Sequence, residues 1–322
     1  MIEVPAELAR IQSEVNGEEG RAFIAALPGR AERFLEEWGL RWTGPVMHGW
    51  SALVLPVVAG DGTRAALKLQ LLDEESEGEG AALRAWRGQG AVRLLREDSS
   101  TGTLLLEWLD GAASADEESG SEGPGSAAEG FGGRVRSLSD VEDAREATRI
   151  LAELMARLVA VEAPAGMRSL GDIAARMLED VPDAVGELAR EEDRRLLRDC
   201  AAAVREVAGE PGDRLLHWDL HFDNVLAAGR EPWLAIDPKP LAGDPGFELL
   251  PSLFNRFDPD DVLWRFDLMT EVLGLDRDRA TAWTLGRVLQ DSLWHVEDGG
   301  TVLEEDRAAV GRMLLGRSSP RR

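Results

Sequence analysis

Three side chains in the last half of the chain stand at a spacing that suits phosphoryl transfer. His217, Asp219 and Asn224 read His-x-Asp-x-x-x-x-Asn, and a short hairpin pattern through Gly229 and Trp233 then ends in Asp237. Phosphoryl transfer gathers negative charge on nucleotide oxygens, which a divalent cation must neutralise. An Asn at the end of a loop and an Asp across a tight hairpin can share one ion, so Asn224 and Asp237 are the expected Mg2+ ligands. Asp219 would sit at the acceptor hydroxyl, orient it and take its proton late, because the transition state is loose. His-x-Asp alone is a weak signal. Together with the Asn and the downstream Asp it forms a set of matched roles.

The same segment admits a different chemistry. His217 and His221, with Asp219 and Asp223, could bind zinc in a hydrolase. Such histidine pairs usually lie on a helix, whereas here Pro211-Gly212 precedes the motif and no helical stripe runs through it. Zinc would also leave Asn224 and Asp237 without a task.

ATP-dependent transfer makes a further demand: a lysine on a strand, followed by a helix that carries a glutamate. Lys68 meets it in Ala-Ala-Leu-Lys-Leu-Gln, and it is one of only two lysines among the 36 basic residues. Ala66, Lys68 and Gln70 share one strand face. Glu75 and Glu79, four apart on the next expected helix, are both offered as the partner. The strand ending at Leu104-Leu-Leu-Glu-Trp-Leu109 would present backbone groups of Glu107 to Leu109 to the nucleotide base. A nucleotide-binding protein without turnover is the remaining alternative, although every group that catalysis requires is present.

The elements needed to hold these groups are legible. Apolar spacing predicts a helix over 18–38, broken or bent near Pro28-Gly29. Runs at 51–58 and 64–72 around Asp61-Gly62 predict a β-hairpin. A helix over 75–87 and strands at 92–96 and 103–108 follow. Residues 111–133 hold seven glycines, four serines and five acids, with Phe131 the only large apolar side chain. Such a segment cannot bury enough surface to offset its ordering. Ser139-Asp-Val-Glu142 offers a capping box before a stripe at Ala147, Ile150, Leu151, Leu154, Leu158 and Val161. Further helices are expected at 170–181, 191–208, 259–274 and 279–297, with a β-like interruption at 215–237. The expected fold class is α+β and bilobal, protein-kinase-like. A small N-terminal antiparallel sheet lobe with a helix covers residues 1–110 and binds nucleotide. A flexible Gly/Ser/Glu-rich insertion or linker covers 111–137. A larger, mainly helical catalytic and substrate-binding lobe covers 138–322.

Composition narrows the partners. The formal net charge is −24, which argues against nucleic acid and anionic membrane and is compatible with a cationic ligand. No apolar run is long enough to span a bilayer. The N-terminus lacks the basic start and apolar run of a signal peptide. A single cysteine, Cys200, excludes a disulfide framework and a cysteine zinc site. A cytoplasmic monomer is expected.

The chain resembles the aminoglycoside phosphotransferase branch of the kinase-like superfamily, most of all the group of streptomycin 6-phosphotransferases and hydroxyurea kinases. The segments that carry the likeness are Asp61–Gln70, Leu83–Trp86, Val92–Leu95, His217–His221, Glu231–Pro238, Gly243–Phe247, Trp283–Gln290 and Leu293–Trp294. The resemblance implies ATP and Mg2+ as cofactors and a hydroxyl on a cationic aminoglycoside as acceptor, streptomycin first. Hydroxyurea, a macrolide or a metabolite are the other acceptors. No Gly-x-Gly-x-x-Gly loop is present. Gly44 to Ser51 stands in its place, and the resemblance makes Ser51 a phosphate contact. Asp237 is followed by Pro-Lys, which disfavours a protein kinase with an activation loop. Asp244 and Glu248 are implied as carboxylates bracing the catalytic loop. Streptomycin carries two guanidinium groups, so its pocket needs acids and flat apolar faces. Asp291, Trp294 and Asp298 fall on one helical face with Glu297 beside it, and these four are the expected substrate contacts.

Overall fold

The computed structural model describes residues 2–110, 129–130 and 133–318; most of the glycine- and serine-rich segment, residues 111–128 and 131–132, lies outside them. In chain order the helices are α1 (Ala6–Val15), α2 (Gly17–Glu37), α3 (Glu79–Trp86), α4 (Ala144–Leu158), α5 (Leu170–Glu187), α6 (Glu191–Val207), α7 (Leu250–Phe254), α8 (Val262–Leu273), α9 (Arg277–Glu297) and α10 (Glu305–Ser318). The strands are β1 (Leu40–Trp42), β2 (Met47–His48), β3 (Ala52–Ala59), β4 (Arg64–Gln70), β5 (Leu94–Asp98), β6 (Thr103–Glu107), β7 (Glu129–Gly130), β8 (Gly133–Arg134), β9 (Arg214–Leu216), β10 (Val225–Ala227), β11 (Trp233–Ala235) and β12 (Leu241–Gly243). The chain divides into two compact units, Met1–Ser137 with Leu226–Ile236, and Leu138–Val225 with Asp237–Arg322.

The first unit is an antiparallel sheet backed by helices. Its order is β1-β3-β4-β6-β5, with β2 also pairing β3. Strand alternation sends Leu53, Leu55, Val57, Ala65, Leu67 and Leu69 to one face, where they pack with Phe23, Leu27, Ala31 and Phe34 of α2. Ala66, Lys68 and Gln70 are thereby turned to the other face. α2 runs unbroken through Pro28, so the expected bend is not a helix break. The buried row on either side of the proline outweighs the one backbone bond it removes. α1 carries too few apolar residues to announce itself, with only Leu8, Ile11 and Gln12 buried. The expected helix over 75–87 begins at Glu79 instead, because the Asp73 side chain accepts the backbone N–H groups of Glu75 and Ser76 and holds them in a turn. The β10–β11 hairpin falls within 138–322 by number but packs in this unit, with Ala91 bridging Ala235 and Ser137 bridging Leu226.

The second unit is mainly helical. α9 is buried along most of its length through Trp283, Leu285, Val288 and Leu289. α4 buries the predicted stripe at Ala147, Leu151, Leu154 and Leu158. Its N-cap is Asp143, which accepts from the amides of Arg145 and Glu146, so the box at Ser139–Glu142 does not form. The Ser139 hydroxyl donates to Asp223 instead. A two-stranded antiparallel pair, β9 with β12, leads straight into the catalytic loop, with Leu216 opposite Leu241. Among the described residues no helix is long and apolar enough to cross a membrane.

Gly212 sets the entry to β9. Its φ is +82°, and a Cβ there would stand 2.8 Å from the Gly243 carbonyl and the Asp244 nitrogen. Gly212→Ala is therefore expected to lower stability by roughly 1–3 kcal/mol. Gly209→Ala, which meets nothing within 4 Å, should leave the urea midpoint unchanged. Equal midpoints for the two variants would show that β9 tolerates a different entry.

Candidate active site

The catalytic loop hangs from β9 by a residue in an uncommon backbone state. Trp218 has φ +67°, and its amide N–H donates to both carboxylate oxygens of Glu248 at 3.0 Å. The fully buried Glu248 sits in a 3-10 turn that follows Asp244, whose side chain accepts from the Gly246 amide. The buried Trp218 ring meets two guanidinium groups, Arg168 at 4.6 Å and Arg287 at 4.5 Å from its centroid. Trp294 meets it edge-on at 5.9 Å.

This holds Asp219, the next residue, from behind. Asn224 Nδ2 donates to the Asp219 carbonyl at 2.9 Å and approaches its Oδ2 at 3.4 Å, so the loop's two functional ends are tied across one turn. The turn is fixed from below. Asn255 accepts from the Phe222 amide at 3.2 Å and donates to Asp223 at 3.0 Å, and the Ser252 hydroxyl donates to the Leu220 carbonyl at 2.9 Å. Asp237 also has a left-handed backbone, φ +57°. Such strain persists only where the surroundings over-determine it.

The charges are strongly coupled. Burial pushes the Asp219 carboxyl above its ordinary value and the Asp237 charge adds to this, while His221, Arg287 and Lys239 oppose it. Burial pulls on His221 in the other direction, yet its hydrogen bond to Asp223 and the charges of Asp219, Asp223 and Asp237 raise it overall. The His221 contact is also the first cause that holds Asp223 well below the usual carboxylate range. Burial pushes Glu248 up to about 8, against the Trp218 amide and the Arg287 charge, which favour the ionised form.

The predicted residues of the first unit are distributed as follows. Lys68 Nζ donates to both oxygens of Glu79 at 2.8 Å, and Gln70 Nε2 donates to the same carboxylate at 2.7 Å. Glu79 is thus the carboxylate that holds the ammonium from α3. Glu75 lies ahead of that helix in the Asp73 turn, so the two glutamates share no helix face. Ser51 follows the exposed Trp50 in the turn between β2 and β3. Glu107 is engaged inside its own unit: its amide donates to the Arg93 carbonyl at 2.9 Å and its carboxylate accepts from Arg230 at 2.6 Å. Its N–H is therefore already committed, while Leu109 stands just beyond the end of β6.

On α9 the expected substrate residues part company. Asp291 is almost enclosed, 3.1 Å from Arg287 Nε and 3.0 Å from Arg307 Nε. The Arg287 contact is an ion-pair separation without hydrogen-bond alignment. Within the chain, Asp291 is thus paired with two arginines, one from its own helix and one from α10. Trp294 remains 37% exposed, and Glu297 and Asp298 are exposed at the end of the helix. Sequence reasoning overlooked Arg287. It lies one turn before Asp291 on the same stripe as Trp294, which was a usable signal.

The oxygen donors Asn224 and Asp237 fit a hard cation such as Mg2+, which binds through one or two carboxylates and keeps its other positions for water and phosphate. Among the described residues no group of three or more His, Cys, Asp or Glu could hold a metal ion.

The sequence profile of a family described as aminoglycoside/hydroxyurea antibiotic resistance kinase matches residues 37–122 and 129–299. The chain belongs to this family. It is 59% identical to a hydroxyurea phosphotransferase of Kitasatospora aureofaciens over 99% of this chain and 87% of that one. It is 51% identical to a streptomycin 6-kinase of Streptomyces glaucescens over 98% of each. A solved choline/ethanolamine kinase family protein from Mesorhizobium loti superposes with a TM-score of 0.54 at 17% identity, covering 86% of this chain and 87% of that one. The fold is thus kinase-like, and the protein is a phosphotransferase with a hydroxyl acceptor.

Two predictions follow from the buried carboxylates. Glu79→Gln would remove the carboxylate charge that Lys68 meets at 2.8 Å in a buried setting and is expected to cost about 3–5 kcal/mol, read by chemical denaturation. Glu248 has a folded-state pKa raised above the ordinary 4.5 to about 8. Its contribution to stability is full below the lower value and is lost as pH rises through the upper one. The wild-type melting temperature should therefore decline from about pH 5 to about pH 8.5 more than that of Glu248→Gln. Parallel curves would mean that Glu248 stays ionised throughout.

Proposed function

We propose that the chain transfers the γ-phosphoryl group of ATP to a hydroxyl of streptomycin, as a streptomycin 6-phosphotransferase. The observation that carries this is the ring contact between Trp294 and Trp218. It sets a half-exposed indole, with Glu297 and Asp298 in the following turn, next to the residue that precedes Asp219. Guanidinium groups stack on indole and pair with carboxylates. Trp294, Glu297 and Asp298 are the proposed contacts to the streptidine ring. Asp219 orients the acceptor hydroxyl and receives its proton. Asn224 and Asp237 hold Mg2+, which would neutralise phosphate charge. Lys68, held by Glu79, aligns the phosphates; Ser51 lies along them, and the backbone from Glu107 to Leu109 meets the base. The proposed enzyme draws on cytoplasmic ATP and acts as a monomer.

A second reading, phosphorylation of hydroxyurea, is favoured by the identity with a relative of that name. Streptomycin and hydroxyurea should be offered in parallel with ATP and the products identified by mass spectrometry. The proposal expects a phosphate on streptomycin. Transfer to hydroxyurea alone would replace it with the second reading. Asp219→Asn should lower transfer about 10²–10⁴-fold while nucleotide affinity stays near wild type. Trp294→Ala should raise the KM for streptomycin about tenfold, the loss of roughly one stacking contact, and leave the KM for ATP unchanged.

A further inference from the structure

The turn that stands where a glycine-rich loop would be is tethered by a helix outside the family match. Gly49, Trp50 and Ser51 connect β2 to β3, and the Gly49 amide closes the turn on the Ala52 carbonyl at 3.0 Å. Ala52 pairs with Gln70, and Val54 pairs with Lys68. The turn therefore lies at the Lys68 end of the sheet, one to two residues past the last rung. Trp50 at its tip is 68% exposed, and neither strand fixes its carbonyl. The Gln12 side chain does: Nε2 donates to the Trp50 carbonyl at 3.1 Å from α1.

Gln12 is built for this contact. It is 1% exposed, and a buried amide is costly unless paired. Asn16 Nδ2 donates to Gln12 Oε1 at 3.0 Å. That occupies the acceptor end and turns the donor end to Trp50. Gly20 of α2 lets the helices close around it, since a Cβ there would stand 1.9 Å from the Gln12 carbonyl oxygen. Gln12, Asn16 and Gly20 all precede residue 37, where the family match begins.

We propose that Gln12 is a positioning residue for nucleotide binding: it holds the Gly49–Trp50–Ser51 turn in place over the phosphates that Lys68 aligns. The proposal rests on the assignment of the Lys68 face to ATP. A loop tip without such a tie samples many conformations, and ordering it on binding would subtract from affinity.

The test uses two full-length variants. Gln12→Met removes both polar ends. Gln12→Glu keeps the length and can still accept from Asn16, but has no proton to give the Trp50 carbonyl. Both should raise the calorimetric Kd and the KM for ATP about three- to tenfold, the value of one lost hydrogen bond. The KM for the acceptor and kcat at saturating ATP should stay within about twofold, inside the scatter of a change that leaves transition-state contacts intact. Amide exchange at residues 48–52 of the ligand-free variants should quicken, with no change across β4. An unchanged Kd in both variants would overturn the proposal, as would equal losses for ATP and acceptor with a lowered melting temperature. If the wild type bound no ATP, the functional reading would fail by itself. Unchanged exchange at 48–52 would separately defeat the tether.

Discussion

The second unit depends on one buried carboxylate receiving one backbone amide. Glu248 takes the Trp218 N–H on both of its oxygens, in a place where water cannot substitute. A buried carboxyl group of this kind is tolerable only when it is hydrogen-bonded. Here the bond does structural work in return, because it holds Trp218 at φ +67°, a conformation that a bulky residue does not adopt unaided. Everything after Trp218 inherits its direction from that turn, including Asp219 and the Asn224 side chain that bonds back to it.

The arginines around Trp218 serve the same end. Arg168 and Arg287 both stack on the indole, and Arg287 is itself paired with Asp291, which Arg307 also meets. A guanidinium on an aromatic face gains most when it is desolvated, and the low exposure of Arg287 provides that setting. The arrangement ties α9 to α10 and to the Trp218 ring, while the last turn of the helix stays exposed. Charge follows geometry: Arg287 acts on both Glu248 and Asp219 and opposes the burial that would neutralise them.

The first unit solves a parallel problem with different means. Lys68 must present a cation on a face of a small sheet while its strand stays buried. Glu79 makes this possible by accepting from the ammonium on both of its oxygens, and Gln70 donates to that same carboxylate and fixes it. The sheet's opposite face is sealed by α2. The result is a charged group with little freedom of orientation, the property that the proposed alignment of phosphates would use.

The motif residues could be read from the chain because their chemistry demands particular types at short, fixed offsets. Lys68, Asp219, Asn224 and Asp237 stood out in that way, and so did the antiparallel sheet, whose alternation is local. What lay beyond the sequence were contacts made across long separations. Glu79 over Glu75 was decided by where α3 begins, and that followed from a turn at Asp73. Asp291 was legible as an acid on the same face as Trp294, but whether it met a ligand or an arginine depended on α10 bringing Arg307 alongside. Helix α1 and the reach of Gln12 to Trp50 left almost no periodic trace, since a single buried amide has no period. Spacing along the chain determined which groups could do the chemistry; packing between distant segments decided which of the remaining charges were free to join them.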